Sequence, residues 1–210
     1  MALAAAPSDL WYARGVSNMK IHCLLGSPRE NSNSTAIAAR FARTAAGLGA
    51  TVETTVLNDL NYRGCQGCLA CKTVSDKCVL KDDLAEILEA LKTADVVVMA
   101  MPVYCSDVPG QVKCFLDRTF SYMKPNYISE SSPSRVPFGK KLVFITTQGA
   151  PVEEMFADIP QRYTGFLKRS MGFGDTYLIR GVGVGGGGAM GVPEQYLDKA
   201  DEIARAIVKK

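Results

Sequence analysis

Short apolar segments alternate with amphipathic segments along the chain from Met19 onwards. The apolar segments are rich in Val, Ile and Leu, which is typical of strands in a parallel sheet covered on both faces. The segments between them carry apolar residues at helical spacing and are predicted to be helices. The predicted strands are residues 19–25, 51–57, 95–101, 141–147 and 176–182.

The predicted helices follow the strands in turn, as in a series of βα units. The first, at residues 35–49, is rich in Ala and is expected to stop at Gly47 and Gly49. The second, at residues 82–94, begins with two acidic residues, which suit a helix N-terminus. The remaining helices are predicted at residues 110–122, 153–169 and 193–210. This order predicts an α/β fold of the flavodoxin-like type, a doubly wound five-stranded parallel sheet in the order 2-1-3-4-5.

The length and composition of the chain limit what it can be. Its 210 residues suffice for one α/β domain, which we place at residues 19–210 with a cysteine-rich insertion at residues 63–81. The sequence has neither a dense Lys/Arg tract nor an apolar run of bilayer length, so no nucleic-acid or membrane partner is expected. A net charge of +3 suits small anionic ligands. Residues 124–139 are rich in Pro and Ser and are predicted to form an irregular surface loop.

The first 18 residues lack the charged start and the apolar stretch of a secretory signal, so a cytoplasmic protein is predicted. We interpret them as an N-terminal extension, either an oligomer arm or a disordered tail, or as residues upstream of a start at Met19. Thiols stay reduced in the cytosol, and seven cysteines cannot all pair with one another. A framework of structural disulfides is therefore not expected.

A polar segment, GSPRENSNST at residues 26–35, joins the first predicted strand to the first helix. This junction is where open α/β sheets bind ligands, and the free N–H groups and dipole of a helix N-terminus stabilise a phosphate there. The segment adds several hydroxyl groups, an amide and the guanidinium of Arg29, which can bind two phosphate oxygens at once. It lacks the glycine spacing of a dinucleotide fingerprint or a Walker loop. The sequence therefore predicts a phosphate-binding loop of another kind.

A second ligand-binding stretch, MPVY at residues 101–104, ends the buried third strand. In the predicted strand order this end lies beside the phosphate loop. A flat ring anchored there would meet apolar groups and backbone N–H donors.

Four cysteines follow the second strand as C-x2-C-x2-C-x6-C, at Cys65, Cys68, Cys71 and Cys78. Closely spaced cysteines are typical ligands of a [4Fe–4S] cluster, whereas zinc sites usually join two separated C-x2-C units. Gly64, just before the first cysteine, and Gly67, between the first two, allow tight turns. From the residues alone, an iron-sulfur cluster, reduced thiols or a redox disulfide pair, and a zinc site all remain open.

Residues 26–34 and 94–118 together resemble the NAD(P)H-dependent FMN reductase branch of the flavodoxin-like superfamily. The resemblance implies that FMN binds at the loop after the first strand, with its phosphate held by Ser27, Arg29, Ser32, Asn33 and Ser34. It implies that the isoalloxazine ring is lined by Pro102, Val103, Tyr104, Cys105 and Ser106. It further implies contacts with the ring's polar edge from Thr147, Gln148 and Gly149.

The cysteine segment is similar to that of the iron-sulfur flavoprotein subgroup of the same family. The likeness implies a [4Fe–4S] cluster on Cys65, Cys68, Cys71 and Cys78. The family resemblance implies an oxidoreductase that passes electrons from NAD(P)H through FMN to a flavin, quinone, nitro compound or protein. Three alternatives stand beside it: a one-electron carrier with a ferredoxin-like partner, a cluster-free NAD(P)H:FMN or quinone reductase, and a flavin-free phosphate-binding domain.

Several other features receive less specific interpretations. The glycine-rich residues 181–191 contain a formal G-x-G-x-x-G but are interpreted as a mobile loop near the site, since no βαβ unit follows. His22, the single histidine, is expected in the core or at an edge. Lys113, Asp117 and Arg118 are expected to form salt bridges along one helix. A homodimer or homotetramer is predicted, with a partner covering the cluster Phe120, Tyr122, Met123 and Tyr127.

Overall fold

The chain forms one five-stranded sheet, which a computed structural model describes over residues 19–185 and 191–209. All strands are parallel and follow the order β2-β1-β3-β4-β5, which confirms the predicted fold. The central strand β3 is buried along nearly its whole length, as its unbroken apolar sequence requires. The strands are β1 (Lys20–Leu25), β2 (Thr51–Val56), β3 (Val96–Pro102), β4 (Lys140–Thr147) and β5 (Phe173–Gly181).

Helices cover both faces of the sheet, and each face has its own apolar core. One core packs α1 and α6 against the sheet through residues such as Phe41 and Ile203. The other core packs α3, α4 and α5 through residues such as Leu88, Phe115 and Leu167. The helices are α1 (Asn33–Gly47), α2 (Ala70–Thr73), α3 (Leu84–Thr93), α4 (Gly110–Arg118), α5 (Ile159–Met171) and α6 (Glu194–Val208).

Some predicted boundaries are wrong, each for a local reason. Helix α5 begins at Ile159 rather than at residue 153, because the segment before it forms turns and Phe156 has a φ of 63°, which a right-handed helix does not allow. Helix α4 ends at Arg118 and tightens into a 3₁₀ turn at Thr119–Tyr122. The cysteine insertion, predicted to be a loop, contains the single-turn helix α2.

Residues 124–139 form turns between this 3₁₀ turn and β4, as predicted, and leave Phe138 exposed. Within the described ranges, no helix is both long and apolar enough to span a bilayer. The N-terminal extension predicted at residues 1–18 lies outside these ranges, as does Gly186 of the formal glycine pattern.

The aromatic cluster assigned to a subunit contact is largely internal. Tyr122 and Met123 are buried, and the Tyr122 hydroxyl donates to the carbonyl of Leu88 at 2.7 Å. Phe120 instead makes an edge-to-face contact with Tyr127, with ring centroids 5.5 Å apart. The assignment of Tyr122 and Met123 to an intersubunit surface was therefore wrong, because these side chains already fill the core of one subunit.

Candidate functional site

The predicted phosphate loop leaves β1 and enters α1 at the carboxyl edge of the sheet. Ser32 has an extended backbone and caps α1, its Oγ accepting a hydrogen bond from the N–H of Thr35 at 3.1 Å. Ser27 Oγ accepts from the N–H of Arg29 at 3.2 Å. Both serines are buried, whereas the Arg29 side chain is exposed. The loop is thus ordered by its own hydroxyl groups and leaves one cation free to meet an anion.

The start of this loop must be glycine because α4 packs directly against it. A Cβ atom on Gly26 would lie 2.2 Å from Cγ2 of Val112, closer than atoms can approach. Gln111 of the same helix donates its side-chain amide to the carbonyl of Gly26 at 3.0 Å. The contact fixes the phosphate loop relative to the segment that follows β3.

The segment after β3 forms a tight turn at residues 104–107, hereafter the 104–107 turn. Tyr104 N donates to the carbonyl of Asp107 at 2.8 Å, and Asp107 N donates back to the carbonyl of Tyr104 at 3.0 Å. The two central residues, Cys105 and Ser106, have φ values of 48° and 66°. Neither is glycine, so each left-handed conformation costs on the order of 1–3 kcal/mol and persists only where the surroundings hold it.

Asp107 connects this turn to α5. Its carboxylate accepts hydrogen bonds from the Tyr163 hydroxyl at 2.7 Å, the Val108 N–H at 2.7 Å and the Arg162 guanidinium at 3.0 Å. Burial by itself would raise the pKa of Asp107, but these hydrogen bonds outweigh it and lower the pKa below its usual range. The group is therefore ionised at neutral pH.

The phosphate loop, the end of β3 and the end of β4 meet around one cleft of about 220 Å³. Most of the predicted cofactor residues line it: Ser27, Arg29, Ser32, Asn33, Pro102, Val103, Tyr104, Thr147 and Gly149. The remaining four lie beside it. Ser34 is fully buried, Cys105 and Ser106 are exposed on the 104–107 turn, and Gln148 is buried with its amide donating to the carbonyls of Ala150 and Val152.

The start of the glycine-rich segment also lines the cleft, through Val184 and Gly185. Asn33 donates its amide to the carbonyl of Val184 at 2.9 Å, so this side chain joins two loops from opposite ends of the chain. A Cβ atom on Gly185 would lie 3.3 Å from the Cα of Gly149, and two glycines thus allow a close backbone approach. The sequence indicated a glycine loop near the site, but it did not indicate which residues reach the cleft.

The cleft suits a phosphate joined to a flat ring. At one end the free N–H groups of the α1 N-terminus and Arg29 provide positive potential, and the described residues that line the cleft include no carboxylate. At the other end Pro102, Val103 and Tyr104 offer apolar surface and backbone groups. These residues fit FMN with its phosphate at α1.

The four cysteines of the insertion line a second, smaller cavity of about 50 Å³. Cys65 and Cys68 are exposed, whereas Cys71 and Cys78 are half-buried, and all are free thiols. Across the described ranges, no three Cys, His, Asp or Glu side chains lie close enough together to hold a metal ion. The fold thus brings the sulfurs to one cavity but not to ligand spacing.

Cationic side chains lie beside the cysteines of this cavity. Lys72 Nζ lies 3.5 Å from Cys71 Sγ and donates to the carbonyls of Phe120 and Met123, both at 2.7 Å. Arg118 Nε lies 3.1 Å from Cys78 Sγ. Lys72 and Arg118 therefore place positive charge beside two of the four sulfurs.

Arg118 does not pair along its own helix as predicted. Lys113 and Asp117 form the expected bridge at 2.5 Å, but Arg118 forms a bidentate pair with Asp82 at 2.7 and 3.0 Å. Its guanidinium also donates to the carbonyl of Arg63 at 2.8 Å. Arg118 thereby ties both ends of the cysteine insertion to α4.

A larger cavity of about 590 Å³ lies between residues 75–81 and α3. It shares Cys78, Val79 and Leu80 with the cysteine cavity, but it shares no lining residue with the cleft at the phosphate loop. Volume alone does not make it the site, because the convergent polar groups surround the smaller cleft.

His22 is buried within β1. Its Nε2 lies 2.9 Å from Thr55 Oγ1, and its Nδ1 lies 3.4 Å from the carboxylate of Glu53. Burial lowers its pKa, and the nearby Glu53 offsets only part of that effect. The expected structural position of His22 is confirmed.

Known proteins share part of the sequence of this chain. The chain is 33% identical over 109 residues to an iron-sulfur flavoprotein from Methanosarcina thermophila, covering 52% of this chain and 56% of that protein. It is 31% identical over 131 residues to an FMN-dependent NADH:quinone oxidoreductase from Pseudomonas putida, covering 60% of each. The chain thus spans little more than half the length of these curated relatives.

The fold is shared more widely than the sequence. An NAD(P)H:quinone oxidoreductase from Methanothermobacter marburgensis superposes with a TM-score of 0.70 at 21% identity, covering 90% of this chain and 96% of that one. The family model described as NADPH-dependent FMN reductase matches residues 19–158, which include the phosphate loop, the cysteine insertion and the 104–107 turn. The chain therefore belongs to the NADPH-dependent FMN reductase family.

Proposed function

We propose that the protein is an FMN-dependent oxidoreductase that takes electrons from NAD(P)H and passes them to a flavin, a quinone or a protein acceptor. One observation supports this most directly: the cationic N-terminus of α1 and the apolar end of β3 face the same cleft. Family membership supports FMN and NAD(P)H as the cofactor and co-substrate. When bound, FMN supplies the chemistry of accepting and releasing electrons.

The residues of the cleft bind and orient rather than transfer protons. Arg29 and the α1 N–H groups would hold the phosphate, with the capped Ser32 keeping the loop in place. Pro102, Val103 and Tyr104 would fix the plane of the ring. Positioning of two reactants accounts for a large share of rate enhancement, so a cleft whose described lining residues include no acid/base triad is consistent with this role.

An anaerobic titration tests the proposal. Protein reconstituted with FMN is mixed with NADH or NADPH, and the flavin absorption is followed. We expect one or both nucleotides to bleach the flavin at catalytic rates. Protein that holds FMN but is bleached only by dithionite would contradict the reductase and favour the one-electron carrier, and protein that cannot hold FMN would exclude both.

The cysteine cavity supports a second candidate function, electron transfer through a [4Fe–4S] cluster on Cys65, Cys68, Cys71 and Cys78. The support is that all four sulfurs line one cavity beside Arg118. Because the sulfurs do not stand at ligand spacing, loading would require the exposed Cys65 and Cys68 to turn inward. Gly67, at a φ of 63° between them, gives the backbone freedom to do so.

Metal analysis distinguishes the cluster from zinc and from free thiols. Protein purified without oxygen should contain iron and acid-labile sulfide, and Cys68→Ser should lose most of both while it retains FMN. The matched control is Cys114→Ser, since Cys114 is half-buried on α4 and does not line the cavity. Anaerobic protein with full FMN and no iron after reconstitution would rule the cluster out.

A cytoplasmic location and a homodimer or homotetramer are retained as predictions. The oligomer prediction no longer rests on the buried Tyr122 and Met123. Light scattering at micromolar concentration would test it, and a monomer would contradict it.

A further inference from the structure

We propose that Asp107 is a positioning residue that holds the 104–107 turn in its left-handed conformation and so prepares the ring end of the cleft for a flavin. This inference rests on the proposed function, because it assumes that a flavin ring lies against Tyr104. It adds a role for residues of α5, all of which lie beyond the match to the family model.

The left-handed conformation of the turn needs support from residues outside the turn. Cys105 and Ser106 both occupy the left-handed region, which non-glycine residues avoid, and the turn's own hydrogen bonds join only Tyr104 to Asp107. On its upstream side, Val103 N is tied to β4 through the carbonyl of Thr147 at 2.8 Å. The downstream side therefore needs its own anchor.

Asp107 provides that anchor from within the turn. Its carboxylate reaches across to α5, where Tyr163 and Arg162 donate to different oxygens at 2.7 and 3.0 Å. Arg162 is itself oriented by Asp158, one helical turn earlier, at 2.7 Å. Tyr163 packs against the apolar core that contains Phe115 and Leu167, so the anchor leads into a rigid part of the protein.

The affinity for a flavin depends on how many molecules hold the turn in its left-handed conformation. If only the left-handed turn presents Tyr104 and its neighbours correctly, the apparent affinity scales with the fraction of molecules that hold this turn. Removing the anchor lowers that fraction. The loss should be the same for FMN and for riboflavin, because the turn acts at the ring and not at the phosphate.

The decisive measurement is the affinity of purified protein for FMN and for riboflavin, by quenching of flavin fluorescence. We expect Asp107→Asn to weaken both ligands about tenfold, and Tyr163→Phe to weaken both by a smaller factor of about threefold. Glu202→Gln serves as the control, since it removes an exposed carboxylate paired with Lys199 on α6, which packs on the other face of the sheet from α5. It should bind both ligands within about twofold of the unaltered protein.

A second substitution separates an effect on the turn from an effect of charge. Glycine adopts left-handed φ values freely, so Ser106→Gly should restore most of the affinity lost in Asp107→Asn. Ser106→Ala removes the same hydroxyl group but leaves the backbone restricted, and it should restore nothing. If the Asp107→Asn variant proves unstable, Ser106→Gly and Ser106→Ala can each be combined with Tyr163→Phe instead.

Three results would overturn the inference: Asp107→Asn and Tyr163→Phe binding within twofold of the unaltered protein, a loss confined to FMN, or equal behaviour of glycine and alanine at position 106. These differ from failure of the proposed function, in which the unaltered protein would not bind FMN or would not be reduced by NAD(P)H. Protein that binds FMN but rejects both nucleotides would leave the role of Asp107 fully testable.

Discussion

Polar side chains around the cleft differ in how freely they can meet a ligand. Ser27 and Ser32 already make hydrogen bonds within the phosphate loop, and Asn33 bonds the carbonyl of Val184. Arg29 is exposed, and no salt bridge holds its guanidinium among the described residues. The serines and Asn33 therefore shape the loop, whereas Arg29 is the residue that we propose supplies charge to a bound phosphate.

Arg29→Ala should weaken FMN about tenfold and leave riboflavin nearly unchanged, because a charge-assisted hydrogen bond of roughly 1.5–3 kcal/mol is lost only when a phosphate is present. Titration of both ligands measures the difference. Arg43→Ala is the control, since it removes an exposed arginine from a later turn of α1. Equal losses for FMN and riboflavin would show that the phosphate binds elsewhere.

Lys140 gives the folded protein a distinctive pH dependence. It is buried at the start of β4, its Nζ donates to the carbonyl of Leu91, and burial lowers its pKa to about 8. An unfolded lysine titrates near 10.4, so between about pH 8 and 10.4 the unfolded chain binds more protons than the folded one. Stability should therefore rise with pH across this window, by up to ~3 kcal/mol at 1.36 kcal/mol per pKa unit.

Urea unfolding at pH 7, 8.5 and 10 would measure this effect. Lys140→Met removes the group whose titration causes this pH dependence. The variant should be more stable than the natural protein at pH 7, and the difference should disappear as the pH rises. Lys141→Met, at the adjacent and less buried position, should retain the natural pH dependence. Parallel pH profiles for Lys140→Met and the natural protein would refute the assignment.

Helix α4 connects the two candidate sites. Its first turn contacts the phosphate loop through Gln111 and Val112, and its last residue binds the cysteine insertion through Arg118. Tyr62, which directly precedes the cysteine insertion, also contacts the first turn of α4 by donating its hydroxyl to the carbonyl of Gln111. A displacement of α4 would therefore shift its contacts with both the phosphate loop and the cysteine insertion.

Arg118→Met should destabilise the protein by about 3 kcal/mol, because it leaves Asp82 without its partner at a largely buried position. Lys113→Met breaks an exposed pair on the same helix and should cost less than about 0.5 kcal/mol. Urea unfolding of both variants provides the comparison. Similar costs for the two would show that the Arg118–Asp82 pair contributes no more than a surface ion pair.

At the level of the whole molecule, the site is an outcome of strand order. Parallel strands place their carboxyl ends at one edge, and the order β2-β1-β3-β4-β5 makes β1, β3 and β4 neighbours there. The loops after these three strands are far apart in sequence and share one cleft. A ligand that contacts all three loops therefore binds the folded chain and not the unfolded chain.

FMN should consequently raise the melting temperature. At 100 times the dissociation constant, binding to the folded state alone adds about 2.7 kcal/mol, which corresponds to roughly 5–10 °C for a protein of this size. Thermal unfolding with and without FMN measures the shift, and Arg29→Ala at the same FMN concentration should show a smaller one. An unchanged melting temperature in saturating FMN would contradict binding across the three loops.

Local patterns sufficed to determine the order of the elements, the strand order and the place of the polar loop at residues 26–35 beside the cleft. Strand and helix periodicity are properties of neighbouring residues, and a polar segment between an apolar strand and a helix must lie at the carboxyl edge of the sheet. For this reason, most of the predicted cofactor residues line one cleft. The start of α5 was missed because a positive φ at a residue such as Phe156 has no local sequence signal.

Only the tertiary structure decided the long-range pairs. Arg118 pairs with Asp82, 36 residues away, and not with a residue of its own helix, because the fold brings the two side chains together in a buried bidentate pair. Asn33 meets Val184 across 151 residues, and Asp107 meets Tyr163 across 56. A sequence specifies which side chains can form such pairs, but the folded backbone fixes which partners come within hydrogen-bonding distance.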